Sequence, residues 1–430
     1  MINNKKLYST VLASIAMIVM LVSIAGAAPF AYVANGGDNT ISVIDTATNT
    51  VTATVNVGDH PQGIAVSPDG SKVYVTHFGN YSAPGNTISV IDTATNTVTA
   101  TVPVGNNPYG IAVTPEGKKA YVAKYYSGTV SVIDTATNTV TATVNVGDHP
   151  QGVAVSLDGS KVYVTNYCDI SVIDTTTDTV TATIPVKQNP TIGVAVTPDG
   201  AKVYVTSGYR TIDGDITRCL FQVTDTATNT VTSIGQFSGL FTGVTVSPDG
   251  KNVYLARDVQ TGLRPSKGEG YVSVIDTASN EFTASVKVGR YPIVAVTPDG
   301  TKVYVANRGS NNVSVIDTAT NTVTATIDVG QSPCGVVIGP LPAQQIQYMN
   351  TCVQDLVTSG VLNKGQSNAL IVKLKAATQN LDAGNTKAAT NELNAFINQV
   401  NAFKGKQLSS TEAQVLIDAA NSMINDLKTS

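Results

Sequence analysis

Short stretches in which apolar and polar residues alternate run along most of the chain, and this period of two predicts β-strands. The segment SVIDT, or a close variant, starts at residues 42, 89, 131, 171, 222, 273 and 314, so it returns at intervals of 40 to 51 residues. Each copy lies between a segment related to YVTN and the segments TNTVTATV and GIAV. Four strands in each of seven repeats predict a mainly β fold, a seven-bladed β-propeller of four-stranded antiparallel blades.

The turns between the strands repeat as regularly as the strands themselves. Pro-Asp-Gly or a variant separates GIAV from the YVTN segment, and DTATN separates SVIDT from VTATV, and both favour hairpins. Hairpins argue against the alternative fold, a β-solenoid with shorter parallel repeats. If GIAV is the innermost strand of each blade, the blade that begins near Tyr32 receives its innermost strand from residues 335–338. The last repeat then closes the ring on the first.

The composition changes sharply after Pro342, where Ala, Leu, Gln, Asn and Lys dominate and apolar residues recur at helical spacing. Ser409 with Glu412 predicts a capping box, and Gly384 followed by Asn385 predicts the end of one helix and the N-cap of the next. We therefore expect a small all-α domain of four helices over residues 341–430.

The first residues are typical of a secretory signal peptide. Lys5 and Lys6 precede an apolar run at residues 11–24, and small residues at 25–28 predict cleavage near Ala27 or Ala28. The run is shorter than the ~20 apolar residues that a bilayer crossing needs. The expected organisation is a signal peptide (1–28), a propeller (29–340) and a helical module (341–430), with no integral membrane span after removal of the signal. A net charge of −4 gives no reason to expect nucleic-acid binding.

Two resemblances to known families follow from these segments. YVTN, SVIDT, TNTVTATVxVG and GIAVSPDG resemble the YVTN-type propellers of archaeal surface-layer proteins over residues 31–340. The stretch LVTSGVLNKGQSNALIVKLKAATQNLDAGNTKAATNELNAFINQVNAF resembles the FIMAH-type helical module found at the ends of secreted and cell-surface proteins. The first resemblance implies a surface-layer protein, and the second supports a secreted location.

The chain direction decides which loops share a face of the propeller. The PDG and DTATN turns fall on one side, and the loops after YVTN and before GIAV fall on the other. All long departures from the repeat, at residues 77–85, 207–218 and 257–270, belong to the second side, which we call the variable face. Binding residues concentrate on variable loops held by a rigid scaffold. The candidates that map to this face are Arg210, Arg218, Arg257, Arg264, Arg290, Arg308, Tyr125, Tyr126, Tyr167, Tyr209 and Tyr291.

These residue types suggest a partner on the cell envelope. Arginine gives bidentate contacts to carboxylate, sulfate or phosphate, and tyrosine stacks on sugar rings, so an acidic glycan or the acidic patch of an envelope protein would fit. The alternative is that the arginines pair with nearby acids to hold the loops together. The acids in question are Asp213, Asp215, Asp258 and Glu269.

Two of the three histidines occur in the identical string GDHPQG, at His60 and His149, each after an aspartate, Asp59 and Asp148. The pair suggests a metal site, but positions two blades apart around a ring are at the limit of reach for one ion with ligands at ~2 Å. Copying of the repeat explains them more simply, and no metal or cofactor is expected. The same four residues are the candidates for the alternative activity, a lyase or hydrolase site at the channel mouth.

Four cysteines and two sequons complete the candidate chemistry. Cys168 and Cys219 precede the third strand at equivalent positions of adjacent blades, and a disulfide between them requires the insertion in the fifth blade to lean over its neighbour. Asn80 and Asn312 stand in N-x-S sequences and are glycosylation candidates.

No nucleophile elbow, phosphate loop, HExxH or paired CxxC occurs in the sequence. We therefore expect a non-catalytic, exported protein of the cell surface or surface layer that uses its propeller as an interaction or adhesion platform. The alternative is a secreted propeller enzyme.

Overall fold

A computed structural model describes residues 29–80, 82–186, 191–209, 218–260 and 268–429. Seven four-stranded antiparallel sheets are arranged as the blades of a propeller, and four helices follow them. The structure confirms the predicted fold class. The predicted signal peptide lies outside the described residues.

Each blade has four strands, which follow one another from the centre of the propeller to its outer edge. Blades are numbered from the one that contains Phe30. The innermost strands, in blade order, are β28 (Pro333–Ile338), β4 (Pro61–Val66), β8 (Pro108–Val113), β12 (Val153–Val155), β16 (Thr191–Val196), β20 (Leu240–Val246) and β24 (Pro292–Val296). The second strands are β1 (Phe30–Asn35), β5 (Lys72–His77), β9 (Lys119–Lys124), β13 (Lys161–Thr165), β17 (Lys202–Tyr209), β21 (Asn252–Gln260) and β25 (Lys302–Asn307).

The outer half of each blade follows the same scheme. The third strands are β2 (Thr40–Asp45), β6 (Thr87–Asp92), β10 (Thr129–Asp134), β14 (Asp169–Asp174), β18 (Arg218–Asp225), β22 (Gly268–Asp276) and β26 (Asn312–Asp317). The outermost strands are β3 (Thr50–Asn56), β7 (Thr97–Pro103), β11 (Thr139–Asn145), β15 (Thr179–Pro185), β19 (Thr230–Ser238), β23 (Phe282–Val288) and β27 (Thr322–Asp328).

The ring closes as the sequence predicts. Strand β28 pairs antiparallel with β1, and Val336 stands opposite Val33 in the register. The first blade therefore contains strands from both ends of the propeller sequence, which joins residues that are about 300 positions apart.

Every blade has a register shift between its third and outermost strands, at the same place in six blades and two residues earlier along the third strand in blade 5. In blade 1 Val43 pairs with Ala53 and Ile44 pairs with Val51, so Thr52 is the extra residue of a β-bulge. A bulge increases the local twist of an exposed edge strand and makes it a poorer template for pairing with another chain. The Thr-rich outer edge of every blade therefore carries one bulge.

Neighbouring blades are joined by threonine hydrogen bonds at places where a glycine lets the backbones come close. The Thr76 hydroxyl accepts a hydrogen bond from the Gly63 amide of its own blade at 2.8 Å and donates one to the Tyr109 carbonyl of the next blade at 2.7 Å. A Cβ atom on Gly63 would lie 2.1 Å from that carbonyl oxygen. The glycine of GIAV is therefore needed where adjacent innermost strands approach each other.

The C-terminal module consists of α1 (Pro342–Thr358), α2 (Lys364–Asp382), α3 (Thr386–Phe403) and α4 (Ser410–Thr429) around a core of its own. The predicted caps are confirmed. The Ser409 hydroxyl accepts from the Glu412 amide while a Glu412 carboxylate oxygen accepts from the Ser409 amide, and the Asn385 side chain accepts from the Ala388 amide. Within the described ranges, none of these helices is apolar enough over a sufficient length to cross a bilayer.

The module packs against the face of the propeller opposite the variable face. The Tyr348 hydroxyl lies 3.4 Å from the Glu116 carbonyl, and Lys118 forms an ion pair of 3.4 Å with Asp355. A Cβ atom on Gly70 would lie 2.6 Å from the side-chain nitrogen of Gln345. The PDG-type turns of blades 2 and 3 therefore form the contact, and the variable face stays uncovered by the module.

Candidate binding surface on the variable face

Six aromatic side chains form one continuous cluster on the variable face, across blades 2, 3 and 4. The ring centroids of neighbouring members lie between 4.8 and 6.5 Å apart, and most pairs meet edge to face. Both features are typical of favourable aromatic packing. We call this cluster the aromatic surface, and its members are Phe78, Tyr109, Tyr125, Tyr126, His149 and Tyr167.

The backbone of the repeat positions these rings. Phe78, Tyr125 and Tyr167 each follow the last residue of the YVTN segment, and their amides donate to carbonyls in the loop before the innermost strand of the same blade. For Tyr125 this acceptor is the Asn107 carbonyl at 3.0 Å. The same structural position is therefore aromatic in three consecutive blades, while it is Gly36 in blade 1.

The rings differ in their exposure. Tyr126 and Tyr167 expose 58% and 47% of their surface, whereas Phe78, Tyr109 and Tyr125 are half-buried behind them. Burial raises the pKa of both Tyr109 and Tyr125, so their hydroxyls remain protonated near neutral pH. The surface therefore offers two open rings on a packed base.

The sequence indicates only part of this cluster. Tyr125, Tyr126 and Tyr167 were among the candidates, and the structure brings them together. Phe78, Tyr109 and His149 were not assigned to the aromatic surface. An alignment of the seven repeats on the residue after YVTN would have indicated Phe78, because it shares that position with Tyr125 and Tyr167.

The described arginine candidates have different surroundings. Arg210 and Arg264 lie outside the described residues, and Arg218 is the first residue of β18, as Tyr209 is the last of β17. Arg257 was expected in a loop, but it lies inside β21 because blades 5 and 6 extend their second and third strands beyond the length of the repeat. The insertions therefore lengthen two hairpins.

Arg257 and Arg290 contact aromatic rings. The guanidinium carbon of Arg257 lies 5.6–6.0 Å from the ring centroids of Phe237, Tyr271 and Phe282, and burial lowers the pKa of the arginine. Arg290 lies over its neighbour Tyr291 at 5.2 Å. Such cation–π contacts brace the chain locally. The expected acid partner Glu269 instead pairs with Lys287 at 2.6 Å.

Arg308 differs from the other described arginines. It is exposed, and it occupies in blade 7 the position that Phe78 and Tyr125 occupy in theirs. Burial raises the pKa of Tyr109, and the Arg308 charge opposes that shift. Arg308 therefore lies close enough to Tyr109 for its charge to act on that member of the aromatic surface.

The two GDHPQG strings have different surroundings. His149 packs against Tyr125 at 4.8 Å between centroids, while the His60 amide and the Asp59 carboxylate are both hydrogen-bonded to the Asn39 side chain. Both histidines have φ near +50°, which their turn requires just before a proline. Asp148 is exposed. Among the described residues, no three His, Cys, Asp or Glu side chains gather closely enough to hold a metal ion.

The third histidine, His77, occupies the asparagine position of the YVTN segment. Its Nε2 atom lies 2.8 Å from the Ser89 hydroxyl, and the side chain is 2% exposed. Asn35 makes the equivalent bond to Ser42 at 2.9 Å. Burial lowers the pKa of His77 to about 4, against smaller opposing effects of the Gly58 backbone and Asp59. Sequence analysis did not single out this residue.

The disulfide candidate is corrected by the structure, in which all four cysteines are free. Cys168 is exposed. Cys219 is fully buried in β18 of blade 5, where its thiol donates a hydrogen bond to the Gly239 carbonyl at 2.7 Å. The extended hairpin of blade 5 holds Cys219 within a strand, where it stands opposite Gly208 and Phe237.

The two sequons also differ. Asn80 is exposed in the loop after Phe78, and its side-chain oxygen accepts from the amides of Ser82 and Ala83. Asn312 is the first residue of β26, and its side chain accepts from Asn307 at 2.9 Å. Asn80 is therefore the more accessible glycosylation candidate.

Comparisons with known proteins agree with this architecture. A family model described as a YNCE-like beta-propeller matches residues 79–161, in blades 2 to 4, and a FIMAH domain model matches residues 346–425. PE-PGRS family protein PE_PGRS18 of Mycobacterium tuberculosis is 60% identical over 37 residues, which cover 9% of this chain and 8% of that protein.

Solved structures with similar folds include hydrazine synthase from Kuenenia stuttgartiensis, with a TM-score of 0.57 and 24% identity over 64% of this chain and 88% of that one. A functionally unknown protein from Desulfotomaculum acetoxidans has a TM-score of 0.55 and 16% identity over 72% of this chain and 99% of that one. At these identities the similarity concerns the fold alone. The chain is thus a seven-bladed β-propeller with a YNCE-like match in blades 2 to 4, followed by a FIMAH domain.

Proposed function

We propose that this protein is a non-catalytic, exported binding protein of the cell surface or surface layer, and that its aromatic surface binds a glycan of the cell envelope. The observation that carries the proposal is the continuous cluster of six aromatic side chains on the uncovered face, with Tyr126 and Tyr167 open to solvent.

A glycan fits this surface better than a protein segment does. A sugar ring has an apolar C–H face and hydroxyls around its edge, and tyrosine offers an apolar face with a hydroxyl at its tip. The half-buried rings hold the exposed ones in place, so little side-chain entropy is lost on binding. The exposed charge of Arg308, which acts on Tyr109, favours a sugar that carries an acidic group.

Export and a surface location rest on different observations. The residues before Pro29 have the pattern of a signal peptide, and the YVTN repeats resemble archaeal surface-layer propellers. The FIMAH domain occupies the opposite face of the propeller. A propeller held from that side would present the aromatic surface outward.

The proposal is tested by binding of the mature protein to cell envelopes of the source organism. One envelope sample is digested with protease, which leaves glycans intact, and a second is oxidised with periodate, which cleaves sugar diols. A glycan partner predicts that binding survives protease and is lost after periodate. The opposite pattern would identify an envelope protein as the partner and reject the glycan.

A further inference from the structure

A cavity of about 340 Å³ lies between the propeller and the helical module. Its walls come from the PDG-type turns and hairpins of blades 2 and 3 and from helices α1 and α4. Pockets for small ligands start at about this volume and are often found between domains. We call it the interdomain cavity, and it lies on the face opposite the aromatic surface.

The apolar part of the lining comes from both modules. Blade 2 contributes the buried ring of Tyr74, and α1 contributes Tyr348 and Leu356. Helix α4 adds Val415 and Leu416. Two tyrosine rings and three aliphatic side chains can surround the apolar body of a small molecule.

The charged part of the lining is strongly acidic. Six carboxylates line the cavity together with only two lysines, Lys72 and Lys118. Lys118 pairs with Asp355, while the Lys72 ammonium donates to the Thr135 carbonyl at 3.1 Å. Among the described residues, Asp355 is the one of the six that forms an ion pair with a lysine. The six carboxylates are Asp69, Glu116, Asp134, Asp355, Glu412 and Asp418.

Hydrogen bonds from neutral groups fix several of these carboxylates. Asp69 is 7% exposed and accepts from the hydroxyls of Ser67 and Ser71. Asp418 is half-buried and accepts from the Gln414 side chain at 2.7 Å. Burial raises the pKa of Asp418, the charges of Asp69 and Asp92 act in the same direction, and Gln414 and Lys72 oppose the shift. Serine and glutamine partners orient the carboxylates but do not neutralise them.

We propose that the interdomain cavity binds a small organic cation with an apolar body, such as an arylalkyl ammonium. The ammonium group would approach Asp418 and the neighbouring carboxylates, where a charge-assisted hydrogen bond is strong because water is partly excluded. The apolar body would lie against Tyr74 and Tyr348, whose ring faces also attract a cation. An anion of the same shape would be repelled by the acidic lining.

Such a ligand would contact the propeller and the helical module at once. It would therefore stabilise the docked arrangement of the two, because a ligand that binds one arrangement raises its population. The inference is independent of the glycan-binding proposal, since the two sites lie on opposite faces of the propeller.

Calorimetric titration of the mature protein tests the proposal with two probes of similar shape, 2-phenylethylammonium and neutral 2-phenylethanol. We expect the ammonium to bind at least about tenfold more tightly than the alcohol, the factor that one charged hydrogen bond provides. Asp418→Asn should remove about this factor for the ammonium and leave the alcohol unchanged. Val415→Phe should fill the cavity and abolish binding of both probes.

Asp382→Asn, an exposed carboxylate at the end of α2, is the matched control and should bind like the wild type. Circular dichroism and thermal melting show that each variant is folded. Equal affinity for the two probes, or an Asp418→Asn variant with unchanged affinity for the ammonium, would overturn the proposal. So would the absence of ammonium binding at millimolar concentration.

Discussion

The hydroxyl of Tyr304 in blade 7 donates a hydrogen bond of 2.7 Å to the side-chain oxygen of Asn49 in blade 1. Asn49 lies in the DTATN turn and has φ +55°, a conformation that asparagine tolerates better than most residues. Tyr121 and Asp178 repeat the contact between blades 3 and 4 at 2.6 Å. In both cases the tyrosine of a second strand donates to a turn residue of the next blade. The bond between Tyr304 and Asn49 makes this contact where the last blade meets the first.

Tyr304→Phe tests the contribution of this bond. The substitution keeps the buried ring and removes only the hydroxyl, so we expect a loss of about 1 kcal/mol in the free energy of unfolding. Denaturant titration measures the loss. Tyr163→Phe is the matched control, because the Tyr163 hydroxyl makes no hydrogen bond to another of the described residues. Equal losses in both variants would assign no special contribution to the Asn49 contact.

Truncation tests closure of the ring by β28. A chain that ends at Gly330 lacks Pro333–Ile338 and leaves β1 without its inner neighbour, so we expect it to aggregate or to lose cooperative unfolding. A chain that ends at Pro342 retains β28 and loses only the helical module, so its propeller should still unfold cooperatively. Thermal melts of the two chains measure the difference, and equal melting behaviour would contradict the closure.

His77 predicts a pH dependence of stability. Its pKa is about 4 in the folded protein and near 6.5 when unfolded, so between these values the unfolded state binds the extra proton. Stability is therefore complete above pH 6.5 and falls as the pH is lowered toward 4, by up to about 3 kcal/mol. Denaturant titrations across this range measure the loss.

His77→Asn is the control for this prediction. Asparagine occupies the equivalent position in blades 1, 4 and 7 and bonds to the matching serine, so the variant should keep the bond to Ser89. Its stability should vary less between pH 6.5 and 4 than that of the wild type. An identical pH profile in both proteins would show that His77 does not cause the loss.

Arg257 and Arg308 should give opposite results when changed to alanine. Arg257→Ala removes cation–π contacts with three rings and should lower stability by about 1–2 kcal/mol without weakening envelope binding. Arg308→Ala should leave stability unchanged and weaken binding, and added salt should weaken wild-type binding likewise. Melting curves of both variants measure the loss of stability, and binding isotherms measure the loss of envelope affinity. Together they distinguish an arginine that stabilises the fold from one that contacts the ligand.

The sequence predicts the blades and the helix caps because each depends on residues close together in one repeat or turn. Closure joins residues about 300 positions apart, but counting strands alone places residues 335–338 beside the strand that begins near Tyr32. The aromatic surface was found only in part, because Tyr109 joins it through packing between blades. The contact of Tyr348 with blade 3 could not be predicted, since nothing in the repeat distinguishes the turn that the module covers.

The measurement that tests the central claim most directly is the affinity of the mature protein and its Tyr126→Ala/Tyr167→Ala variant for isolated cell envelopes. Both rings are exposed and contact neighbouring rings of the cluster, so their removal should lower the melting temperature only slightly. If they are central contacts, the variant should bind about thirtyfold more weakly or worse. Leu157→Ala, an equally exposed apolar residue on the opposite face, should bind like the wild type. A double variant that binds envelopes as tightly as the wild type would contradict the assignment of the aromatic surface as the binding site.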